Sequence, residues 1–196
     1  MATSVKPNVD VWPYCTERVH LTPYVEGNKS SLFPEEFLFS LYAQCKKEHL
    51  LDVLFPGMPL VTAARFVAYL KDRPVLVGFV KSDIAPLKVA GFGFLYEVEG
   101  EEVARKATVG FCFFKEWWGS KEIVDLSKLC LRYWFNEVKL KVVFGTTLWR
   151  NRLAWRFARN LGFVSIGKVP RFFSKDGKLE DMHLLYLTPE NFFGAV

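Results

Sequence analysis

The sequence has little of what metal, disulfide-bonded or membrane proteins need. Its three histidines and four cysteines include no Cys-x-x-Cys pair and no histidine at metal-ligand spacing, so we expect no metal and reduced, mostly buried thiols. The N-terminal ten residues contain no apolar stretch of the signal-peptide type. No window approaches the roughly 18 apolar residues of a membrane-spanning helix. We therefore expect a soluble, cytoplasmic protein without a membrane partner.

The composition is that of a globular protein. With 196 residues, 51% hydrophobic and 24% charged, the chain fits a single domain over residues 1–196, with residues 1–14 as an N-terminal arm. The formal net charge of +5 favours contact with anions. The basic residues are not gathered into one long run, so we do not expect a nucleic-acid partner.

Hydrophobic periodicity and turn residues predict the order βαα-βββ-αβ-αββ. The predicted strands cover residues 17–22, 75–80, 88–98, 103–114, 141–147, 163–169 and 182–187. The predicted helices cover about residues 34–50, 61–70, 121–137 and 151–160. Pro23 should end the first strand, and a hairpin turn at residues 99–102 should pair Val98 with Val103. This order predicts an α/β (α+β) domain with a mixed sheet flanked by helices.

The stretch from Val109 to Lys121 joins a strand, a glycine and a helix. The aromatic-rich apolar run predicts a buried strand that stops before Gly119, and an amphipathic pattern begins at about Lys121. The first N–H groups of a helix lack intrahelical acceptors, and the macrodipole adds to their positive charge. The ligand that suits such a turn is a phosphate group. A strand–turn–helix unit without any ligand gives the same pattern, so that alternative stays open.

Two motifs carry a family resemblance. The first, roughly I-G-Y-x-L-x-P-E-x-W-G-x-G, is matched by Val109-Gly110-Phe111, Glu116 and Trp118-Gly119. The second, N-x-x-(A/S)-…-L-G-F, is matched by Asn151, Ala154 and the run Asn160-Leu161-Gly162-Phe163. On these residues the chain resembles the GNAT superfamily of acyl-CoA-dependent N-acetyltransferases, and within it the branch that acetylates ribosomal-protein N-termini. The resemblance covers about residues 75–187 and implies a central, mostly antiparallel mixed sheet.

The resemblance implies direct acyl transfer from acetyl-CoA, a cosubstrate, to an amine. The strand at Phe111–Phe113 would splay from the strand at residues 142–147, and the backbone N–H of Phe111 or Phe113 would polarise the thioester carbonyl. Two of the residues implied in cofactor binding have another explanation: Asn151 would also suit a helix N-cap, and Phe157 would also suit core packing. The implied cofactor-binding residues are Phe111, Cys112, Phe113, Trp117, Trp118, Gly119, Ser120, Lys121, Glu122, Asn151, Ala154 and Phe157.

Three residues depart from the family pattern. Lys121 replaces the second glycine of the phosphate loop, and a lysine adopts a positive φ less cheaply than glycine. Ala158 stands where many relatives carry a tyrosine that protonates the departing thiolate. Thr146 stands where enzymes that acetylate protein N-termini often place a glutamate base. The usual side-chain acid and base are thus both missing.

The candidates for a general base are Asp83, in the turn before the third predicted strand, and His183, on a late strand. A purely structural histidine, or a chain of waters in place of a base, remains open. Glu97 and Glu99 are poor candidates on the predicted pairing, because that pairing puts them about eight residues, or ~26 Å, from the level of Phe111.

The sequence therefore predicts an acetyl-CoA-dependent N-acetyltransferase that acts on a primary amine, with a protein N-terminus favoured over a small amine. The alternative is a GNAT-fold protein that binds CoA or a partner with little or no catalysis, which the missing acid and base favour. Either protein would be a monomer or a homodimer.

Overall fold

The computed structural model describes residues 14–24, 35–54, 62–81, 88–175 and 178–194. The strands in this part of the chain are β1 (Val19–Tyr24), β2 (Val75–Val80), β3 (Lys88–Glu99), β4 (Lys106–Phe113), β5 (Val142–Leu148), β6 (Val164–Lys175) and β7 (Lys178–Leu187). The helices are α1 (Glu35–Lys47), α2 (Leu51–Leu54), α3 (Ala63–Lys71), α4 (Lys121–Asn136), α5 (Arg152–Asn160) and α6 (Pro189–Phe193). None of these helices is long and apolar enough to cross a membrane.

The strands form one seven-stranded sheet in the order β1-β2-β3-β4-β5-β7-β6. Every neighbouring pair is antiparallel except β4 and β5, which run parallel because α4 carries the chain back between them. The predicted mixed α/β fold is confirmed. The short helices α2 and α6 are additions to the predicted order.

The two faces of the sheet pack against different helices. On one face, α1 and α3 cover β2 and β3 through residues such as Leu41, Phe66 and Phe92. On the other face, α4 and α5 pack on the sheet around the fully buried Trp134 and Leu126. We call these the α1–α3 face and the α4–α5 face. Because side chains alternate along a strand, each residue of β4 is assigned to one face by its position.

The first predicted strand is displaced by two residues. β1 runs to Tyr24 and includes Pro23, which lies opposite Leu76 of β2. β1 is an edge strand, so a residue without an N–H is tolerated where no further strand needs the donor. The prediction that Pro23 ends the strand was therefore wrong.

The predicted register of the hairpin between β3 and β4 was also wrong. The connection spans residues 100–105, Glu99 pairs with Lys106, and Tyr96 pairs with Thr108. Three residue steps on β3 therefore oppose two on β4, which is a β-bulge. Val103, predicted to begin the strand, lies in the turn with 82% of its surface exposed. The hydrophobic pattern indicates which residues form strands, but it does not reveal that a bulge adds a residue to β3.

Candidate active site

The central feature of the site is a gap between β4 and β5. Their parallel pairing runs from Lys106 with Val142 to Val109 with Gly145 and then stops. Beyond that point the two strands separate, as the resemblance implies. We call the opening between residues 110–113 of β4 and residues 146–148 of β5 the fork.

Backbone geometry decides which groups of β4 face the fork. The Phe114 N–H donates to the Ala90 carbonyl of β3 at 3.0 Å. Since N–H and C=O groups alternate sides along a strand, Cys112 also points its backbone toward β3, whereas Phe111 and Phe113 point theirs toward the fork. The structure therefore directs the N–H groups of Phe111 and Phe113 into the opening. It does not bring Cys112 there.

The side chain of Cys112 is turned to the α1–α3 face. Its Sγ lies 3.7 Å from the Sγ of Cys45 on α1, and both thiols are buried and free. A hydrogen bond with Cys45, together with burial, raises the pKa of the Cys112 thiol. The predicted role of Cys112 in cofactor binding thus has no geometric support, because its backbone and its side chain are both engaged elsewhere.

Trp118 borders the fork. Its indole Nε1 donates a hydrogen bond to the Phe113 carbonyl oxygen at 2.8 Å, which again shows that this peptide group points away from β3. The Trp118 side chain is 54% exposed. Tryptophans are mostly buried in proteins, but this indole lies at the surface and hydrogen-bonds to a backbone acceptor.

The loop after β4 leads directly into the long helix α4. A 3₁₀ turn at Lys115–Trp117 is followed by Gly119, whose φ of +79° lies in the left-handed region that glycine adopts at little cost. Ser120 is the N-cap of α4, and its side chain accepts a hydrogen bond from the Ile123 N–H. The helix begins at Lys121, as predicted.

Only some N–H groups of this loop remain available for a phosphate. Turn hydrogen bonds to carbonyls at 3.0–3.1 Å occupy the N–H groups of Trp117, Trp118 and Ser120. Among the residues described, no intramolecular acceptor is found for the N–H groups of Gly119, Lys121 and Glu122. Of the implied cofactor-binding residues 117–122, these three therefore have N–H groups available for a phosphate.

The charges around these donors are mixed. Lys121 is exposed, and it does not have a positive φ, so replacing the family glycine brings no backbone strain. The Glu122 carboxylate lies 3.4 Å from the Arg18 guanidinium, which offsets the negative charge beside the helix N-terminus. The macrodipole of this sixteen-residue helix points its positive end at the same place.

The helix α5 closes the fork on the α4–α5 face. Asn151 caps this helix by accepting a hydrogen bond from the Ala154 N–H at 3.1 Å, so the capping interpretation of Asn151 is confirmed. The Phe157 ring packs edge-on against Phe113 with the ring centroids 6.0 Å apart. Ala158 is partly buried in the same cluster and offers no proton donor. Phe157 is thus held in packing at the mouth of the fork.

On the α1–α3 face, polar side chains meet beside the fork. The hydroxyl of Tyr96 hydrogen-bonds to the side chain of Thr146, the first residue of β5 beyond its last pair with β4. Burial raises the pKa of Tyr96, and this hydrogen bond partly offsets the rise. The Glu97 carboxylate accepts a hydrogen bond from the Thr108 hydroxyl at 2.9 Å. The sequence suggested no role for Tyr96 or Thr108, and it set Glu97 aside as a base.

The predicted remoteness of Glu97 was wrong. Because of the bulge, Tyr96 pairs with Thr108, which precedes Phe111 by three residues, or about 10 Å along a strand. The predicted pairing of Val98 with Val103 had placed Glu97 more than twice as far away. An acidic residue directly after a buried aromatic strand was the only sequence signal for this position.

Two residues of α3 and its end complete this cluster. The Arg73 guanidinium lies over the Tyr69 ring, 3.5 Å from its centroid. Burial raises the pKa of Tyr69, Arg73 lowers it, and the negative charge of Glu97 raises it slightly. Tyr69 therefore lies close to both a guanidinium and a carboxylate.

The two bases predicted from the sequence are not part of this cluster. Asp83 lies outside the described residues. His183 lies opposite Thr147 on β7, on the α4–α5 face, where its Nε2 is 2.6 Å from the Ser165 hydroxyl. The rings of Trp149 and Trp155 flank it at 4.9 and 5.6 Å, and burial lowers the pKa of its imidazole. These contacts explain His183 as a packed structural residue.

Solved acetyltransferase structures share this fold. A spermidine N-acetyltransferase from Vibrio cholerae, solved with CoA and spermine, matches with a TM-score of 0.70 at 16% identity, over 88% of this chain and 98% of its own. A ribosomal L7/L12 alpha-N-protein acetyltransferase matches with a TM-score of 0.69 at 10% identity, over 88% and 91%. A GNAT-family acetyltransferase from Bacillus anthracis matches with a TM-score of 0.68 at 12% identity, over 89% and 96%. At these identities the matches show a shared fold.

A direct comparison with curated protein sequences gave no match. The acetyltransferase (GNAT) domain family, in contrast, matches residues 62–164, a segment that runs from the start of α3 to the start of β6 and contains the fork, the loop before α4 and the polar cluster at Glu97. This segment is more than half of the chain. The protein is therefore a member of the GNAT acetyltransferase family.

Proposed function

We propose that the protein is an acetyl-CoA-dependent N-acetyltransferase that acts on a single primary amine, with a protein N-terminus as the preferred acceptor. The observation that carries the proposal is the fork: β4 and β5 separate after Val109 and Gly145, and the N–H groups of Phe111 and Phe113 point into the opening. An extended ligand can pair with a free strand edge of this kind.

The residues present fit acetyl-CoA, which supplies an acetyl thioester when bound. The Phe111 N–H is directed to where it can donate to a carbonyl oxygen in the fork and polarise it. The N–H groups of Gly119, Lys121 and Glu122, at the positive end of α4, suit a pyrophosphate. The Asn151 side chain keeps its amide N–H₂ for a further contact, since its oxygen caps α5.

The polar cluster supports an acceptor with one positive charge. The charged groups close to Tyr69 include the Glu97 carboxylate and the Arg73 guanidinium. A peptide N-terminus has one ammonium group and neighbouring carbonyl oxygens to which a guanidinium can donate. A polyamine has several ammonium groups, and one of them would meet the positive charge of Arg73. We therefore favour the peptide.

The first test is calorimetric titration with acetyl-CoA. We expect the wild-type protein to bind in about the micromolar range typical of such substrates, and Gly119→Trp to lose at least about tenfold in affinity because the indole fills the space before α4. Gly167→Trp is the matched control, since Gly167 also has a positive φ and open space around its Cα but lies on β6. Absence of wild-type binding at millimolar acetyl-CoA would overturn the proposal.

The second test measures thiol release from acetyl-CoA with two acceptors. We expect release with a short peptide that begins with a free alanine or serine, and less with spermidine. The reverse preference would overturn the choice of acceptor but not the reaction. Binding of acetyl-CoA without release for either amine would instead support a CoA-binding protein, which Ala158 and Thr146 favour because neither can serve as the usual acid or base.

A further inference from the structure

The bulge in β3 changes the direction of one side chain. In a regular strand, Glu97 would lie on the α4–α5 face beside its neighbour Leu95, because side chains alternate. The extra residue between Tyr96 and Glu99 interrupts this alternation, and the Glu97 carboxylate reaches Thr108, which shares the α1–α3 face with Tyr96. Bulges are known to redirect side chains near active sites in this manner.

Glu97 adopts this position in a strained backbone conformation. Its φ of +54° lies in the left-handed region, which a glutamate occupies only at a cost in free energy. A glycine or an asparagine would adopt this conformation at a lower cost, yet the sequence has a glutamate at position 97. Strain of this kind persists where the surrounding structure enforces it, and it concentrates at functional sites.

The Glu97 carboxylate is also unneutralised. Thr108 donates the hydrogen bond to Oε2, and no lysine or arginine within the described ranges forms an ion pair with Glu97. Glu99, two residues further along the strand, lies 3.3 Å from Lys106. The Glu97 side chain is exposed, so its second oxygen can accept a hydrogen bond from a cation that arrives from solvent.

The position of Glu97 relative to the fork suits proton removal. Thr108, which hydrogen-bonds to Glu97, directly precedes Val109, the last residue of β4 that pairs with β5. The side chain of Tyr96, the residue before Glu97, reaches Thr146 at the fork. Thr108, which holds the Glu97 carboxylate, lies three residues, or about 10 Å, before Phe111 on β4. An acceptor amine bound between them would reach the carboxylate through a bridging water, as a general base requires.

We propose that Glu97 is the catalytic residue that binds the acceptor ammonium and removes its proton, an inference that rests on the proposed function. An N–H bond of the ammonium breaks and an O–H bond forms on the carboxylate, which frees the nitrogen lone pair. The nitrogen then bonds to the acetyl carbon as the C–S bond breaks. The second proton of the nitrogen leaves with the thiol sulfur, and the Glu97 proton passes to solvent.

The test compares Glu97→Gln with Glu99→Gln. Both variants remove one negative charge from the same strand, and glutamine at position 97 keeps an oxygen for the Thr108 hydroxyl. We expect Glu97→Gln to weaken peptide binding about tenfold or more, measured by calorimetry without acetyl-CoA at neutral pH, and to lower kcat/KM about a hundredfold. Affinity for acetyl-CoA should not change, and Glu99→Gln should behave as wild type.

The pH dependence separates a base from a structural residue. Tyr96 from its own strand and Tyr69 from α3 interact electrostatically with Glu97. Arg73 lies over the Tyr69 ring, and Lys106 of β4 is paired with Glu99. An α-amine has a pKa of about 8, so at about pH 9 most of the acceptor no longer needs the base. We expect the kcat/KM deficit of Glu97→Gln to shrink there.

Each outcome decides the inference. A wild-type enzyme that acetylates peptides while Glu97→Gln matches Glu99→Gln would overturn the role of Glu97 and leave the proposed function intact. A wild-type protein that acetylates no amine would overturn both. If Glu97→Gln does not fold, Glu97→Asn replaces it, because asparagine tolerates a left-handed φ; normal peptide binding and turnover by that variant would equally overturn the inference.

Discussion

Replacing Gly110 with alanine should destabilise the protein strongly, although the change adds a single methyl group. A Cβ at position 110 would lie 2.3 Å from Cζ of Phe94, whereas carbon atoms in contact lie about 3.5–4.0 Å apart. The Phe94 ring would have to move by more than about 1 Å. Its neighbours Tyr69, Phe92 and Tyr96, with ring centroids 5.8–6.1 Å away, restrict that movement.

We expect a cost of about 3 kcal/mol, at the upper end of what overpacking a core usually causes. For a domain of this size that corresponds to a melting temperature about 6–12 °C lower. The assay is thermal unfolding followed by circular dichroism. Gly145→Ala is the matched control, since its Cβ would lie 3.3 Å from the Phe163 ring, a distance that a small shift of the ring relieves.

A second substitution tests whether Phe94 is the cause. Phe94→Leu removes part of the ring that the new methyl group meets, so combining it with Gly110→Ala should recover at least about 1 kcal/mol relative to the sum of the single effects. The reasoning is refuted if Gly110→Ala melts within about a degree of Gly145→Ala, or if the two substitutions are additive. Gly110 would then be present in the motif for a reason other than the Phe94 ring.

Two further predictions concern the fork and its surroundings. Trp118→Phe should lower the dissociation constant for acetyl-CoA about fivefold. A ligand that pairs with the free edge of β4 competes with the indole for the Phe113 carbonyl, and the hydrogen bond that it displaces is worth about 1 kcal/mol. Weaker binding by the variant would show that the indole contributes to the site. Burial lowers the pKa of the His183 imidazole in the folded protein, so on acidification the unfolded chain takes up a proton at this histidine at a higher pH than the folded protein does. The free energy of unfolding should therefore fall as the pH drops below about 6.5. Urea unfolding at several pH values should show that this loss is smaller in His183→Gln and unchanged in the control His20→Gln. Equal slopes of unfolding free energy against pH in the two variants would contradict the burial argument.

Elements with a strong pattern were predictable from the sequence. β2 was predicted at its observed bounds, and α4 at its observed first residue, since a continuous apolar run bounded by Pro74 and an amphipathic pattern after a glycine leave few alternatives. The separation of β4 from β5 was anticipated through the family resemblance. Local composition cannot predict it, because it depends on which strands pair and where their pairing ends.

The polar side of the site could not be predicted, for a definite physical reason. Placing Glu97 beside the fork requires the register of β3 against β4, and one extra residue in β3 shifts every side chain that follows. Nothing in the hydrophobic pattern distinguishes a four-residue turn from the observed connection over residues 100–105. The Trp118 hydrogen bond was likewise hidden, because composition ranks a tryptophan as core and gives no view of a backbone acceptor nearby.

The parallel pairing of β4 with β5 has a consequence for folding and cooperativity. The sheet consists of two antiparallel halves, β1 to β4 and β5 to β7, joined by four residue pairs from Lys106–Val142 to Val109–Gly145. The pairs β2–β3, β3–β4 and β6–β7 close short loops, whereas the joining pairs must wait for the whole of α4, so they should form after these hairpins. A ligand that bonds to both halves at the fork would add to these four joining pairs and, by mass action, raise the stability of the whole protein.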